Sequence, residues 1–155
     1  MSLGGGGGGG QMQELQQQIQ ALEQEKEALE GEIESLRAEQ VEIDEATEAI
    51  DVLDSDSTVQ VPLGGDAYVR ATVEDIDEIV VSLGGGYAAE HDSDEAVDTL
   101  ERKKETIDER IEDIREEISE IETETERLEQ QAQQMQQQQM QQMQQQMGGM
   151  GDGDE

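Results

Sequence analysis

The residues of this chain that could carry out chemistry are few and do not combine into a site. His91 is the single histidine, and it lies between Glu90 and Asp92 with no serine spaced as a nucleophile. We interpret it as a loop residue. The sequence has no cysteine, which excludes a disulfide framework, a thiolate metal site and a cysteine nucleophile.

Two short segments resemble parts of known sites but lack the residues that would complete them. Residues 54–57 read Asp-Ser-Asp-Ser, like the opening of a calcium loop, but the central glycine and distal glutamate are missing. The glycines at 84–86 lack a following Lys-Ser or Lys-Thr and run into an apparent strand, so no phosphate cradle is expected. Carboxylates are abundant, but coiled-coil surfaces offer no cleft to perturb their pKa values. We predict no enzyme, no metal and no cofactor.

Methionine is concentrated near the end of the chain, where it alternates with glutamine. A flexible, polarizable side chain suits a surface that must accept many apolar partners. This pattern predicts a contact surface for unfolded polypeptides, formed by Met135, Met140, Met143 and Met147. The alternative is a disordered Gln-rich tail in which methionine is incidental.

Charge dominates the composition: 41 Asp and Glu against 9 Lys and Arg give a net charge of −32 over 155 residues. Nucleic acid and anionic membranes are therefore poor partners, since both require a basic face. The carboxylate surplus is typical of a salt-adapted (halophilic) cytoplasmic protein, because molar salt shortens the Debye length to about 3 Å. No run approaches the roughly 18 apolar residues of a membrane span, and the N-terminus does not look like a signal peptide.

Composition divides the chain into five segments. They are a flexible glycine-rich leader (1–10), a helix (11–53), two β-hairpins (58–90), a second helix (93–147) and an acidic glycine tail (148–155).

Both helices carry apolar residues at alternating steps of three and four, which predicts a coiled coil. The first set is Met12, Leu15, Ile19, Leu22, Lys26, Leu29, Ile33, Leu36, Gln40, Ile43, Thr47 and Ile50. The second set is Val97, Leu100, Lys104, Ile107, Ile111, Ile114, Ile118, Ile121, Thr125, Leu128, Ala132 and Met135. Five of these positions are polar or charged, which indicates either that register matters or that salt-adapted cores are weak.

The two helices are expected to run antiparallel, with partner positions summing to about 147. The first helix should begin at Gln11, so Met140, Met143 and Met147 would have no partner. Met12, Leu15 and Ile19 are seam residues that could also contact an unfolded chain where the coil frays; both roles stay open. Ser93 is the expected N-cap of the second helix, without a capping box.

The central segment reads as four strands, Thr58–Leu63, Ala67–Val73, Glu78–Leu83 and Tyr87–Glu90, and glycine turns join them into two hairpins. Isolated hairpins are marginal in water and expose their edges, so strands from other subunits should complete them. The residues predicted to carry assembly are Val59, Val61, Leu63, Tyr68, Val69, Val73, Ile79, Val81, Leu83 and Tyr87.

The order of these motifs resembles the alpha subunits of the archaeal prefoldin family over about residues 12–135. The resemblance rests on Val-Pro-Leu-Gly at 61–64, Tyr-Val at 68–69, Val-Val-Ser-Leu-Gly-Gly-Gly-Tyr at 80–87 and Glu90, all between heptad helices. It implies a mainly α fold in which the hairpins join an intersubunit β-barrel platform. It also implies a heterohexamer of two alpha and four beta subunits that captures unfolded clients at its coiled-coil tips, without ATP, and passes them to a group II chaperonin.

The periodicity alone permits a second function, a structural coiled-coil tether or spacer with a β-mediated assembly point. A tether needs a specific docking surface at its free end, whereas a chaperone needs an unspecific apolar one. The Met-Gln end matches the chaperone.

Overall fold

The computed structural model describes residues 7–150, with side chains from Gly9 to Gly148. The chain is mainly α, as predicted: two long helices flank two antiparallel hairpins. The elements are α1 (Gly7–Val52), β1 (Thr58–Gly64), β2 (Ala67–Thr72), β3 (Ile79–Gly84), β4 (Tyr87–His91) and α2 (Ser93–Met150).

The chain divides into two compact units. We call residues 34–112, which contain all four strands, the hairpin unit. The described residues of the other unit are 7–33 with 113–150, and we call them the helix-end unit.

Both helices extend further than the sequence analysis predicted. Helix α1 begins at Gly7 rather than Gln11, so part of the expected flexible leader is helical. Each glycine costs about 1 kcal/mol relative to alanine in a helix, but extending an existing helix adds one hydrogen bond per residue. Helix α2 continues to Met150 rather than Met147. The rest of the leader (1–6) and of the acidic tail (151–155) lies outside the described residues.

The heptad prediction is confirmed along both helices. All 24 predicted seam positions are buried or half-buried, and Ile114 is completely buried. Burying each Leu or Ile contributes roughly 1.5–3 kcal/mol, so this single apolar stripe supplies most of the packing energy of each unit.

The cap of α2 lies one residue before the predicted position. The Asp92 carboxylate, not Ser93, accepts the backbone N–H of Glu95 at 2.8 Å, and the Asp92 carbonyl accepts that of Ala96 at 2.9 Å. Asp92 is thus the N-cap, with Glu95 at the third helical position where a capping box places it. Aspartate and serine cap helices about equally well, so the sequence does not distinguish the two neighbours.

The two hairpins share one design. Val61 pairs with Val69 in the first and Val81 with Ala89 in the second, and each register shifts by a residue just before the turn, at Leu63 and at Leu83. The turns need positive φ, which Gly64, Gly65 and Asp66 supply in the first hairpin and Gly84, Gly85 and Gly86 in the second.

Each hairpin forms a two-stranded sheet of its own, and within residues 7–150 no third strand joins either one. Each strand therefore keeps one unpaired edge, as predicted, and an unpaired edge is a template for another chain.

The Asp-Ser-Asp-Ser connection at 54–57 is a hydrogen-bonded turn. The Ser57 hydroxyl accepts the N–H of Asp54, and the Ser55 hydroxyl accepts that of Ile76 in the linker between the hairpins. Asp56 has φ of 72° and donates its N–H to the Val73 carbonyl. The segment therefore ties the end of α1 to the hairpins.

Neither described helix is apolar enough over a sufficient length to cross a membrane.

Candidate functional site

The hairpin unit exposes a concentrated set of large apolar side chains. Six of the ten residues predicted to carry assembly are exposed: Val61, Leu63, Tyr68, Val69, Leu83 and Tyr87. The most exposed is Tyr87, at 76%. Val59, Val73 and Ile79 are half-buried. Exposed β-branched and aromatic residues in such number are typical of an interaction surface.

One predicted assembly residue, Val81, differs from the rest because it is only 5% exposed within its own chain. Strand β3 lies against α2: the Lys103 ammonium donates to the Ser82 carbonyl at 2.9 Å, and Leu83 lines a groove together with Ile107. Val81 is thus a core residue of the hairpin unit.

Its neighbour Val80 points to the other face of β3 and is 67% exposed, although the sequence analysis did not select it. The signal was the unbroken Ile-Val-Val run at 79–81, which places apolar side chains on both faces of a strand.

His91 is not a loop residue as expected; it is the last residue of β4 and pairs with Ile79. Its Nδ1 lies 3.7 Å from the Glu95 carboxylate, and its buried Nε2 has no hydrogen-bond partner among the described residues. No group of three metal-ligating side chains occurs in the described part of the chain.

The helix-end unit contains an open groove of about 460 Å³ where the seam approaches the ends of the helices. Leu15 and Leu128 are buried and Met135 is half-buried along it. Its rim carries Arg127, which forms a salt bridge with Glu124.

Three of the residues predicted to contact unfolded chains are seam residues first. Met12 and Ile19 are half-buried and Leu15 is buried. Of these three, only Leu15 also lines the groove.

Apart from the half-buried Met135, the remaining predicted contact residues are among the most exposed apolar side chains of the described residues. Met140 and Met143 are 67% exposed and Met147 is 79% exposed. At the observed register Met140 lies opposite about Gly8, and Met143 and Met147 lie beyond the described part of α1. These side chains have a helical scaffold and no packing partner within the described unit.

Polar seam residues set the register within each unit. Lys26 and Glu122 form a salt bridge at 3.0 Å in the helix-end unit, and Lys104 and Asp44 form one at 2.7 Å in the hairpin unit. The residue numbers of each pair sum to 148, close to the predicted 147, which confirms the antiparallel register. The hydrogen bond to Glu122 raises the pKa of Lys26, and that to Asp44 raises the pKa of Lys104.

The sequence analysis left two explanations for polar seam residues: they specify register, or the core is simply weak. The other polar seam positions divide between these two. The Gln40 amide donates to the Asp108 carboxylate at 2.6 Å and to the Lys104 carbonyl at 3.3 Å, so it also specifies register. Thr47 and Thr125 instead donate to carbonyls of their own helices, four residues back. These two hydroxyls therefore make no contact that specifies register, as the weak-core explanation predicts.

Helices that pair antiparallel within each unit and, in chain order, flank two apolar, edge-exposed hairpins define a coiled-coil subunit with a central β region. The Prefoldin family profile, described as "Prefoldin subunit", matches residues 10–138. The chain belongs to the prefoldin family, which is a family of chaperones rather than of enzymes.

Relatives that are 58–73% identical are prefoldin alpha subunits, mostly from salt-adapted archaea. Prefoldin subunit alpha of Haloarcula marismortui is 73% identical over 95 residues, which cover 61% of this chain and 62% of the relative. Prefoldin subunit alpha of Halobacterium salinarum is 70% identical over 104 residues, 67% of each chain. The match therefore spans about three fifths to two thirds of these relatives. The resemblance to prefoldin alpha subunits is confirmed.

The fold is also that of a solved prefoldin. The cryo-EM structure of filamentous PFD from Methanocaldococcus jannaschii superimposes with a TM-score of 0.51 and 27% identity, covering 76% of this chain and 93% of that one.

Proposed function

We propose that this chain is the alpha-type subunit of an ATP-independent chaperone that captures unfolded proteins at the ends of its helices. The observation that carries this proposal is the exposure of Met140, Met143 and Met147 on a stretch of α2 for which residues 7–150 offer no packing partner. Methionine accepts apolar groups of many shapes, which is what an unspecific client surface needs.

Assembly is proposed to run through the hairpins. Six exposed apolar residues and the free strand edges favour completion of the sheets by other prefoldin subunits, beta subunits among them. The proposed complex contains two alpha and four beta subunits, with the hairpins joined in a β-barrel platform. It would act in the cytoplasm and pass its clients to a group II chaperonin.

The alternative function, a coiled-coil tether, needs a specific docking surface at the helix ends. Flexible methionines among glutamines offer no fixed geometry for such a surface, so the chaperone is favoured.

The proposal is tested on the complex with a beta subunit, by measuring aggregation of several unrelated denatured proteins in molar salt. Replacing Met140, Met143 and Met147 by glutamine should weaken protection of every client more than tenfold, since each buried methionine contributes roughly 1.5–3 kcal/mol. The same three positions changed to leucine are the matched control, and they should retain protection. A wild-type complex that protects none of the clients would support the tether instead.

A further inference from the structure

Charge is distributed very unevenly along this acidic chain. All nine basic residues and 38 of the 41 acidic residues lie within residues 14–129. Residues 1–13 carry no charged side chain, and neither do the 22 residues from Gln130 to Gly151. Within the described residues, these segments are the start of α1 (7–13) and the end of α2 (130–150), which belong to the same unit.

The uncharged part of α2 faces solvent. Of its side chains from Gln130 to Gly148, only Ala132 and Met135 are not exposed. The groove overlaps its start, at Gln131 and Met135, and also contains the last cation of the chain, Arg127, which forms a salt bridge with Glu124. Negative charge therefore fades along the helix-end unit and is absent from the exposed methionines and their neighbours.

A surface without charge is unusual here, because carboxylates occupy about one position in three between residues 14 and 129. Solubility alone does not require this, since glutamate supports a helix as well as glutamine does. The choice of glutamine over glutamate must therefore matter for what the surface contacts.

The sign of the client's charge decides whether a neutral surface improves its binding. A basic unfolded chain would be attracted by the acidic remainder of the protein, so removing carboxylates from the helix ends does nothing for it. An acidic unfolded chain is repelled by that remainder and can approach only where carboxylates are missing. Cations in the same place would instead pair with the protein's own carboxylates.

Molar salt does not remove the need of an acidic client for a surface without carboxylates. It screens exposed charges beyond about 3 Å, but charges that a bound client covers are partly buried and are screened much less. Glutamine amides can also hydrogen-bond to the client's backbone as donor and as acceptor, which a carboxylate cannot.

We propose that the uncharged ends of the two helices form a capture surface for unfolded polypeptides of net negative charge. This inference rests on the proposed chaperone function and names its class of client. Residues 152–155 carry three further carboxylates, Asp152, Asp154 and Glu155, beyond the described residues.

The test uses two unstructured, fluorescently labelled peptides with identical apolar residues, whose charged positions are all Glu in one and all Lys in the other. The test variant carries Gln137→Glu and Gln144→Glu, seven residues apart in the neutral part of α2. The matched control carries Gln17→Glu and Gln24→Glu, with the same spacing on exposed positions of the acidic part of α1. Binding to complexes of verified stoichiometry is measured by fluorescence anisotropy in molar salt.

The wild-type complex should bind the Glu peptide, and the test variant should bind it roughly tenfold more weakly, whereas its affinity for the Lys peptide should stay the same or rise. The control variant should change neither affinity. Equal losses for both peptides, or none, would overturn the inference. A wild-type complex that binds only the Lys peptide would also overturn it but leave client capture standing. Binding of neither peptide would instead overturn the proposed function itself.

Discussion

The hairpin unit and the helix-end unit both expose apolar side chains on a strongly acidic chain, but they do so with different chemistry. The hairpins display valine, leucine and tyrosine on paired strands whose register is fixed. The end of α2 displays methionine on a helix with no packing partner in the described unit. Stiff side chains on fixed strands suit one specified partner, whereas flexible ones suit many. In the proposed function, residue type would thus separate specific assembly from unspecific capture.

The largest expected effect comes from adding charge to the hairpin surface. Leu63→Asp together with Tyr87→Asp removes two apolar groups that assembly would bury, at roughly 1.5–3 kcal/mol each, so partner affinity should fall about a hundredfold or more. Both side chains are exposed in the single chain, so helix content should remain. Light scattering measures the mass, and circular dichroism the helix content.

Gln60→Asp with Ala88→Asp is the matched control for that variant, since it adds the same two charges at exposed hairpin positions that are not large and apolar. Assembly of the control should be far less affected. If both variants dissociate equally, charge rather than apolar contact governs the hairpin surface.

The next largest effect should be that of ionic strength on assembly. Lowering the ionic strength from about 1 M to 0.01 M lengthens the Debye length from about 3 to 30 Å, which restores repulsion among the 32 uncompensated negative charges and should dissociate the complex. A neutral osmolyte should not replace salt. Light scattering across this range tests the expectation, and a monomer at every ionic strength, even with a beta subunit present, would contradict it.

A smaller effect concerns the lysine–carboxylate salt bridge that each unit contains. Because the folded state raises the pKa of Lys26 and of Lys104, each contributes stability that is fully present below the ordinary lysine pKa of 10.5. That contribution is lost as the pH rises through the folded-state pKa. The melting temperature should therefore fall above about pH 10.5, and less so in Lys26→Met and Lys104→Met. Thermal unfolding between pH 9 and 12 measures this; identical pH profiles for all three proteins would contradict it.

The smallest expected effect is that of nucleotide, which should change neither region. No phosphate-binding loop was recognised in the sequence, and the glycines at 84–86 form a tight turn. Client protection should be the same with and without ATP. ATP hydrolysis by the pure protein that disappears when Gly84, Gly85 and Gly86 are changed would overturn this expectation.

Periodic features of the fold could be predicted from the sequence. A heptad pattern is repeated over many turns, so each seam position supports the others, and all 24 are correctly placed. The hairpins follow from glycines that tolerate positive φ. Both signals are local and redundant.

Features that depend on a single contact could not be predicted. The burial of Val81 follows from the packing of β3 against α2, which no strand pattern reveals. The choice of Asp92 over Ser93 as the N-cap is a competition between near-equal side chains. The helical glycines from Gly7 onward run against local propensity, which elongation of an existing helix outweighs.

The separation of capture from assembly is tested most directly by deleting every residue after Gln134. The deletion removes Met135 and all the later methionines but keeps Leu128 and Ala132, which close the seam. Mass and client protection are measured on the same complex with a beta subunit in molar salt. We predict an unchanged number of subunits and protection weakened more than tenfold. Undiminished protection would place the client surface inward, toward Leu15, Ile19 and Leu22, and loss of assembly would show that the two regions are not independent.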